Sequence, residues 1–236
     1  MKRVLIGIGL VVVLAVGGVA AWFALFGAAA ISEASFWEDE IVAFESADAE
    51  RFPEPGLVLF SGSSSIRLWD TLERDMAPMR VLNRGFGGAH MAHVVHFADR
   101  IITPYAPRAL VVYVGDNDIG AGKTPEIVEN DFRALVATVR ASQPAMPIYY
   151  LTIKASRLRW ELWPTMDAAN QRIAALAASD PNLHVIDVSA PMVALGEGEA
   201  PPASLFLFDG LHLSEEGYAL WTEIVRSRLL ADLGAG

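Results

Sequence analysis

The chain has 236 residues, no cysteine, and 28 acidic against 18 basic side chains, a formal charge of −10 at pH 7. Leaving out Lys2 and Arg3 takes the rest to −12, a charge that repels nucleic acid and anionic headgroups, so nucleic-acid binding is not expected. Without thiols there are no disulfides, thiolate metal sites or cysteine nucleophiles, and the length suits one α/β domain with an appendage.

The appendage comes first. Lys2-Arg3 precede an apolar run over residues 4–31 that carries no charge. A secretory signal core spans about 7–15 residues and a membrane span needs about 20, so the run reads as an uncleaved transmembrane helix, a signal anchor. Ala28-Ala29-Ala30 meets the small-residue requirement of a cleavage site, which keeps removal and secretion as the alternative. Basic residues before the run and Glu33, Glu38, Asp39 and Glu40 after it put the N-terminus in the cytoplasm. The main domain is then expected outside, periplasmic or extracellular. Three segments follow: anchor or signal over 1–31, an N-terminal helix and lead-in over 32–55, and the main domain over 56–236.

Residues 33–51 predict a helix with Trp37, Ile41 and Phe44 as its apolar stripe, ended by Pro53 and Pro55. Five apolar runs, 57–60, 81–83, 109–114, 147–152 and 183–188, read as strands. The first leads through Ser61-Gly62-Ser63-Ser64-Ser65 into Ile66-Arg67-Leu68-Trp69, which opens a helix. The second ends in Arg84-Gly85-Phe86-Gly87-Gly88, followed by a helix over 89–101. The third ends in Gly115-Asp116-Asn117-Asp118.

Thr124-Pro125-Glu126 is a helix start, with a capping hydroxyl, proline in the first turn and an acid near the dipole. Val128, Phe132, Leu135, Val136 and Val139 form its stripe. The fourth strand runs into an irregular segment carrying Lys154, Arg157, Arg159, Trp160 and Trp163, before Pro164 opens a helix to residue 178. Residues 196–202 are loop-like, and Ser214-Glu215-Glu216 starts the last helix, with Trp221, Ile224, Val225 and Leu229 apolar. This alternation predicts an α/β fold: a doubly wound, mostly parallel five-stranded sheet between helical layers, with ligands at the carboxyl ends of the strands.

Hydroxyls at a strand-to-helix turn meet the N–H groups and positive end of the helix. One of them is a candidate nucleophile if a base and an oxyanion site lie elsewhere; otherwise the serines only cap a helix. Asp209-Gly210-Leu211-His212, just before the last helix, supplies an imidazole base and a carboxylate to hold its second nitrogen. Glycine N–H groups and an asparagine amide can receive a developing oxyanion.

Together these motifs resemble the SGNH (GDSL-type) hydrolase family, over roughly residue 56 to the end. Gly62-Ser63-Ser64 stands where that family has Gly-Asp-Ser, so Ser64 matches the nucleophile. Gly88, in Asn83-Arg84-Gly85-Phe86-Gly87-Gly88, matches the oxyanion-hole glycine. Gly115-Asp116-Asn117-Asp118 matches Gly-x-Asn-Asp, with Asn117 as the side-chain donor, and Asp209 and His212 match the triad. The resemblance implies the flavodoxin-like SGNH fold and a serine esterase with Ser64, His212 and Asp209 as its triad. It implies an oxyanion hole of the Ser64 and Gly88 N–H groups with the Asn117 amide, no cofactor and no metal, and a small-molecule or glycan ester as substrate. The chain departs from the family at Ser63, which replaces the aspartate, and at Gly87-Gly88-Ala89, where many relatives have Gly-Gly-Asp. The rival readings are an O-acyltransferase acting on envelope glycans with the same triad, and an anchored binding module without turnover.

The strand-end rule puts Arg157, Arg159, Trp160 and Trp163 on the rim of such a site, facing a sugar, an aromatic acyl group or an anion. Core packing is the other reading for the tryptophans. His90, His93 and His96 share a helical face with Asp99, a spacing that invites a metal; packing or surface roles are preferred, and His90 is also close enough to Gly88 to touch substrate. His184, inside the fifth strand, reads as a core or edge histidine.

Overall fold

The computed structural model describes residues 33–234. The expected anchor or signal helix, over residues 4–31, lies outside them. Among the described residues no helix is long and apolar enough to cross a membrane. The chain divides into two compact units, Met1–Asp39 and Glu40–Gly236. In the first, residues 34–37 form a 3-10 turn in which the Phe36 and Trp37 rings meet edge to face at 5.1 Å. Helix α1 (Glu38–Glu50) follows, all but its first two residues in the second unit, with Ile41 buried and Phe44 half-buried.

The second unit is built on five strands: β1 (Val58–Gly62), β2 (Val81–Gly85), β3 (Ala109–Tyr113), β4 (Ile148–Leu151) and β5 (Leu183–Ile186). Their order is β2-β1-β3-β4-β5 and every pairing is parallel. β1, β3 and β4 are buried along their whole length, which is why they read as unbroken apolar runs rather than alternating ones. The chain winds outward from β1 to β2, then crosses to β3 on the other side of β1. That reversal opens a crevice at the carboxyl ends of β1 and β3. Gly62 stands at its floor, paired with both Gly85 and Tyr113.

One face of the sheet packs against α9 (Glu215–Leu233), where Trp221, Val225 and Leu229 are fully buried at helical spacing and Trp221 meets the Tyr113 ring at 5.0 Å. Short helices α2 (Ser64–Arg67) and α3 (Leu72–Asp75) and the turn between them add Ile66, Leu72 and Trp69 to the same core. The other face is covered by α4 (Met91–Ile101), α6 (Pro125–Ser142) and α7 (Trp163–Ala177), with Phe132 of α6 on the Tyr150 ring at 5.0 Å. The Thr124 hydroxyl caps α6 by accepting from the Ile127 N–H, with Pro125 in the first turn. Val128, Phe132, Leu135 and Val139 of its stripe are buried, while Val136 is half-buried.

Three local features differ from the expectation. β1 continues through Ser61 and Gly62, so the turn to α2 is only Ser63. Asp116–Gly120, the polar cluster at the end of β3, is a helical turn, α5, which Gly115 at φ +125° lets β3 enter directly. Ser189–Ala194 is a further helix, α8, too short to show a periodic stripe. His184 lies on the edge strand β5, half-buried and stacked on Tyr149 at 4.7 Å.

Candidate active site

Ser64 is the first residue of α2, directly above the end of β1. The three consecutive serines face different surroundings. Ser63 is fully buried, donates its N–H to the Tyr113 carbonyl at 2.9 Å, and its hydroxyl has no partner among the described residues. The Ser65 hydroxyl is buried and accepts from Lys154 Nζ at 3.2 Å. Only Ser64, half-buried, turns its Oγ to the imidazole, 3.0 Å from His212 Nε2. Tyr218 of α9 pins this turn by donating its hydroxyl to the Ser65 carbonyl at 3.0 Å.

His212 and Asp209 come from the loop before α9. Asp209 Oδ1 accepts the N–H groups of Leu211 and His212 at 2.9 and 3.0 Å, which coils the loop around its own carboxylate. Oδ2 lies 2.6 Å from His212 Nδ1. A carboxylate there accepts a hydrogen bond from Nδ1–H, which leaves Nε2 unprotonated and free to accept from Ser64. Burial alone would raise the Asp209 pKa, but the His212 ring and the two N–H groups outweigh it and bring it down to about 2. The loop is tied back to the strand-end segment by the Leu158 N–H, donated to the Gly210 carbonyl at 3.0 Å.

Gly88 follows β2, and Asn117 lies in α5 just after β3. Gly88 is at φ +75°, a left-handed conformation that a side chain would strain. Neither its N–H nor that of Ser64 has a partner among the described residues. Asn117 Nδ2 donates to the Ala89 carbonyl at 3.1 Å, holding the glycine loop, and its Oδ1 accepts from Arg159 Nη2 at 3.1 Å. The next support is Asp118, whose carboxylate accepts the Met91 N–H at 3.0 Å and the Lys123 ammonium at 2.8 Å.

Sequence reasoning left one assembly unassigned. Lys154, 1% exposed at its side chain, donates to Tyr113 Oη at 3.0 Å, Ser65 Oγ at 3.2 Å and Asp116 Oδ2 at 3.2 Å. Arg159 Nη1 lies 3.4 Å from the same Asp116 oxygen. Burial pushes the Lys154 ammonium below its ordinary pKa against the pull of Asp116. Burial pushes Asp116 the other way, yet Lys154 and Arg159 together hold it below the usual carboxylate range. The hint in the sequence was a lysine three residues past the apolar run of β4, at the strand end where the site was expected.

The expected rim divides. Arg159 joins Asn117 and Asp116, as above. His90 caps α4, half-buried, with Nδ1 3.9 Å from Asp118, and burial lowers its pKa despite that carboxylate. Arg157 donates to the Pro201 carbonyl at 3.0 Å, beside Gly210. Trp160 and Trp163 are half-buried and stacked on each other, ring planes 3° apart, with no ring contact or hydrogen bond to Ser64, His212 or Asp209 among the described residues. The three histidines of α4 part company: His93 Nδ1 accepts the His90 N–H, while His96 is exposed against the Phe97 ring. Among the described residues no group of three or more His, Asp or Glu side chains could hold a metal ion. A cavity of about 610 Å³, lined by Leu68, Leu207, Leu213 and Tyr218 among others, lies beside the His212 loop but includes neither Ser64 nor His212. The strand-end cluster, not this cavity, holds the arrangement able to transfer a proton from a hydroxyl and receive an oxyanion.

Residues 59–220 match the model of the family described as GDSL-like Lipase/Acylhydrolase. No curated protein matches the chain. Among solved structures, a Streptococcus pneumonia protein provisionally described as a platelet activating factor is similar at TM-score 0.72 and 19% identity, covering 92% of this chain and 99% of that one. A GDSL-like lipase from Bacteroides thetaiotaomicron is similar at TM-score 0.69 and 17% identity, covering 86% and 100%. A carbohydrate esterase family 3 protein from Talaromyces cellulolyticus is similar at TM-score 0.59 and 14% identity, covering 75% and 97%. At these identities the likeness is one of fold.

Proposed function

Since the chain is a hydrolase belonging to the GDSL-like lipase/acylhydrolase family, we propose that it is a serine esterase cleaving carboxylic esters through Ser64, His212 and Asp209. The observation that carries this reading is His212 itself, its Nε2 on Ser64 Oγ and its Nδ1 on Asp209. In the first half-reaction Ser64 Oγ attacks the ester carbonyl carbon and His212 Nε2 takes the hydroxyl proton. Asp209 stabilises the imidazolium without becoming protonated. The Ser64 and Gly88 N–H groups and the Asn117 amide receive the negative charge that develops on the carbonyl oxygen. His212 then protonates the leaving alcohol, the carbon–oxygen bond breaks, and an acyl-serine remains. A water molecule, deprotonated by His212, attacks the acyl carbon and releases the acid with Ser64 restored.

A fluorophosphonate probe tests the assignment. Intact mass and peptide mapping should find one adduct, on Ser64, absent in His212→Ala. An adduct on Ser63 or Ser65 would move the nucleophile, and no adduct would end the esterase reading. In steady-state assays Ser64→Ala should lose several orders of magnitude in kcat, and Asn117→Ala about 10²–10³. The uncharged run over residues 4–31 supports placing this domain at a membrane, outside the cytoplasm.

A further inference from the structure

Asn117 can serve an oxyanion only if its amide nitrogen, and not its oxygen, points to the crevice. The two ends of an asparagine amide are nearly alike in shape, so their placement depends on their partners. One end is set by the Ala89 carbonyl, which accepts from Nδ2. The other is set by Arg159: a guanidinium has only donors, so it can face Oδ1 and not Nδ2.

Arg159 itself is fixed on several sides. Its side chain is 20% exposed, and Nη1 is close to Asp116, which Lys154 anchors from within the core. Its guanidinium packs against Gly120, where an added Cβ would come within 3.0 Å of both Cζ and Nε. Through Lys154 the same assembly touches Ser65, the neighbour of Ser64. A charged donor on Oδ1 also draws electron density from the amide, which makes the opposite N–H groups better donors.

We infer that Arg159 is a positioning residue for the oxyanion site, locking and polarising the Asn117 amide from its seat on Asp116 and Gly120, and is not a substrate-binding cation of the rim. This rests on the serine-esterase reading. It separates Arg159 from the other expected rim residues: its effect reaches the reacting atoms through Asn117, and mainly once charge develops in the transition state.

The test is a double-mutant cycle on the full chain with p-nitrophenyl acetate, a neutral ester that gives a rim cation nothing to bind. Arg159→Met should lower kcat by about ten- to a hundredfold with KM within about twofold, because the lost interaction matters mainly once charge develops. In an Asn117→Ala background the same substitution should cost less than about threefold, since the group it acts through is gone. Arg159→Lys should recover only part of the loss, because an ammonium lacks the planar fork that reaches Asp116 and Asn117 together.

Gly120→Ala is the second variant. It keeps every charge and adds helix propensity, but its methyl pushes the guanidinium away, so kcat should fall while KM holds. An equal, multiplicative loss in both Asn117 backgrounds would overturn the inference, as would a change confined to KM, or an unchanged kcat in Gly120→Ala together with Arg159→Met. An Asn117→Ala variant with intact kcat would overturn it too, since Arg159 acts through that amide, whereas the absence of any fluorophosphonate adduct would mean that the esterase reading has failed and not the placement of Arg159 on Asn117.

Discussion

At Ser63 the chain carries a buried hydroxyl without a partner among the described residues, in the position where relatives have aspartate. An unsatisfied buried polar group is a cost, and Ser63 makes no side-chain cap to α2 that alanine would remove. Ser63→Ala should therefore keep wild-type ester turnover and gain about 1 kcal/mol, read as a rise of about 2–4 °C in Tm. A collapse of turnover would show that this hydroxyl takes part in the chemistry. Asp209 makes a second prediction at this scale. Its folded pKa, about 2, lies below its ordinary 3.8, so it binds fewer protons folded than unfolded. Its contribution to stability is complete above about pH 4 and is lost as the pH falls through about 2. The Tm gap between wild type and Asp209→Asn should be constant from neutral pH down to that range and close below it. A gap that persists at pH 2, or closes near pH 6, would contradict the hydrogen-bonded carboxylate.

Among the elements, the strand ends decide what the site can be. Gly62 is at φ +138°, and a Cβ on it would sit 1.9 Å from the Tyr113 carbonyl oxygen. That close approach lets β1 and β3 deliver Ser64 and Asn117 to the same crevice. Gly62→Ala should cost about 1–3 kcal/mol from backbone conformation alone, with the clash on top, and should lower Tm and turnover together. An unshifted Tm would show that the strands can part without loss. The strands themselves were readable because a parallel sheet covered on both faces leaves runs such as Ala109–Tyr113 no polar position. Ser64, His212, Asp209, Gly88 and Asn117 could be nominated from sequence because each sits in a short local motif. The helical turn α5 was hidden because Gly-Asp-Asn-Asp is equally good turn chemistry. The Lys154–Asp116–Arg159 assembly was hidden for another reason: its members are joined across 38 residues by topology, and no local period marks them. Arg159 could be placed at a strand end from sequence, but which way its guanidinium turns depends on Gly120 and Asn117.

At the scale of the whole molecule, every residue assigned to the site lies within the unit Glu40–Gly236. A chain beginning at residue 33 should thus keep kcat within about twofold of the full chain. Carbonate extraction should leave the full chain in the membrane pellet and release the shortened one. A shortened chain that stays in the pellet would sink the proposed anchor, whereas a large fall in kcat would show that the site is not self-contained. The proposed nucleophile and base come from segments 148 residues apart, and Tyr218 of the last helix holds the turn that carries Ser64. This has a consequence for synthesis. While a ribosome is still making the segment before residue 209, the emerging chain already has its reactive hydroxyl, its glycine loop and its amide, but nothing to take the proton. Such a chain is chemically silent, and it stays so until the last helix has docked. Premature termination anywhere before that point yields inert fragments and not a weakened hydrolase, so the order of translation itself keeps the serine unreactive until the fold around it is complete.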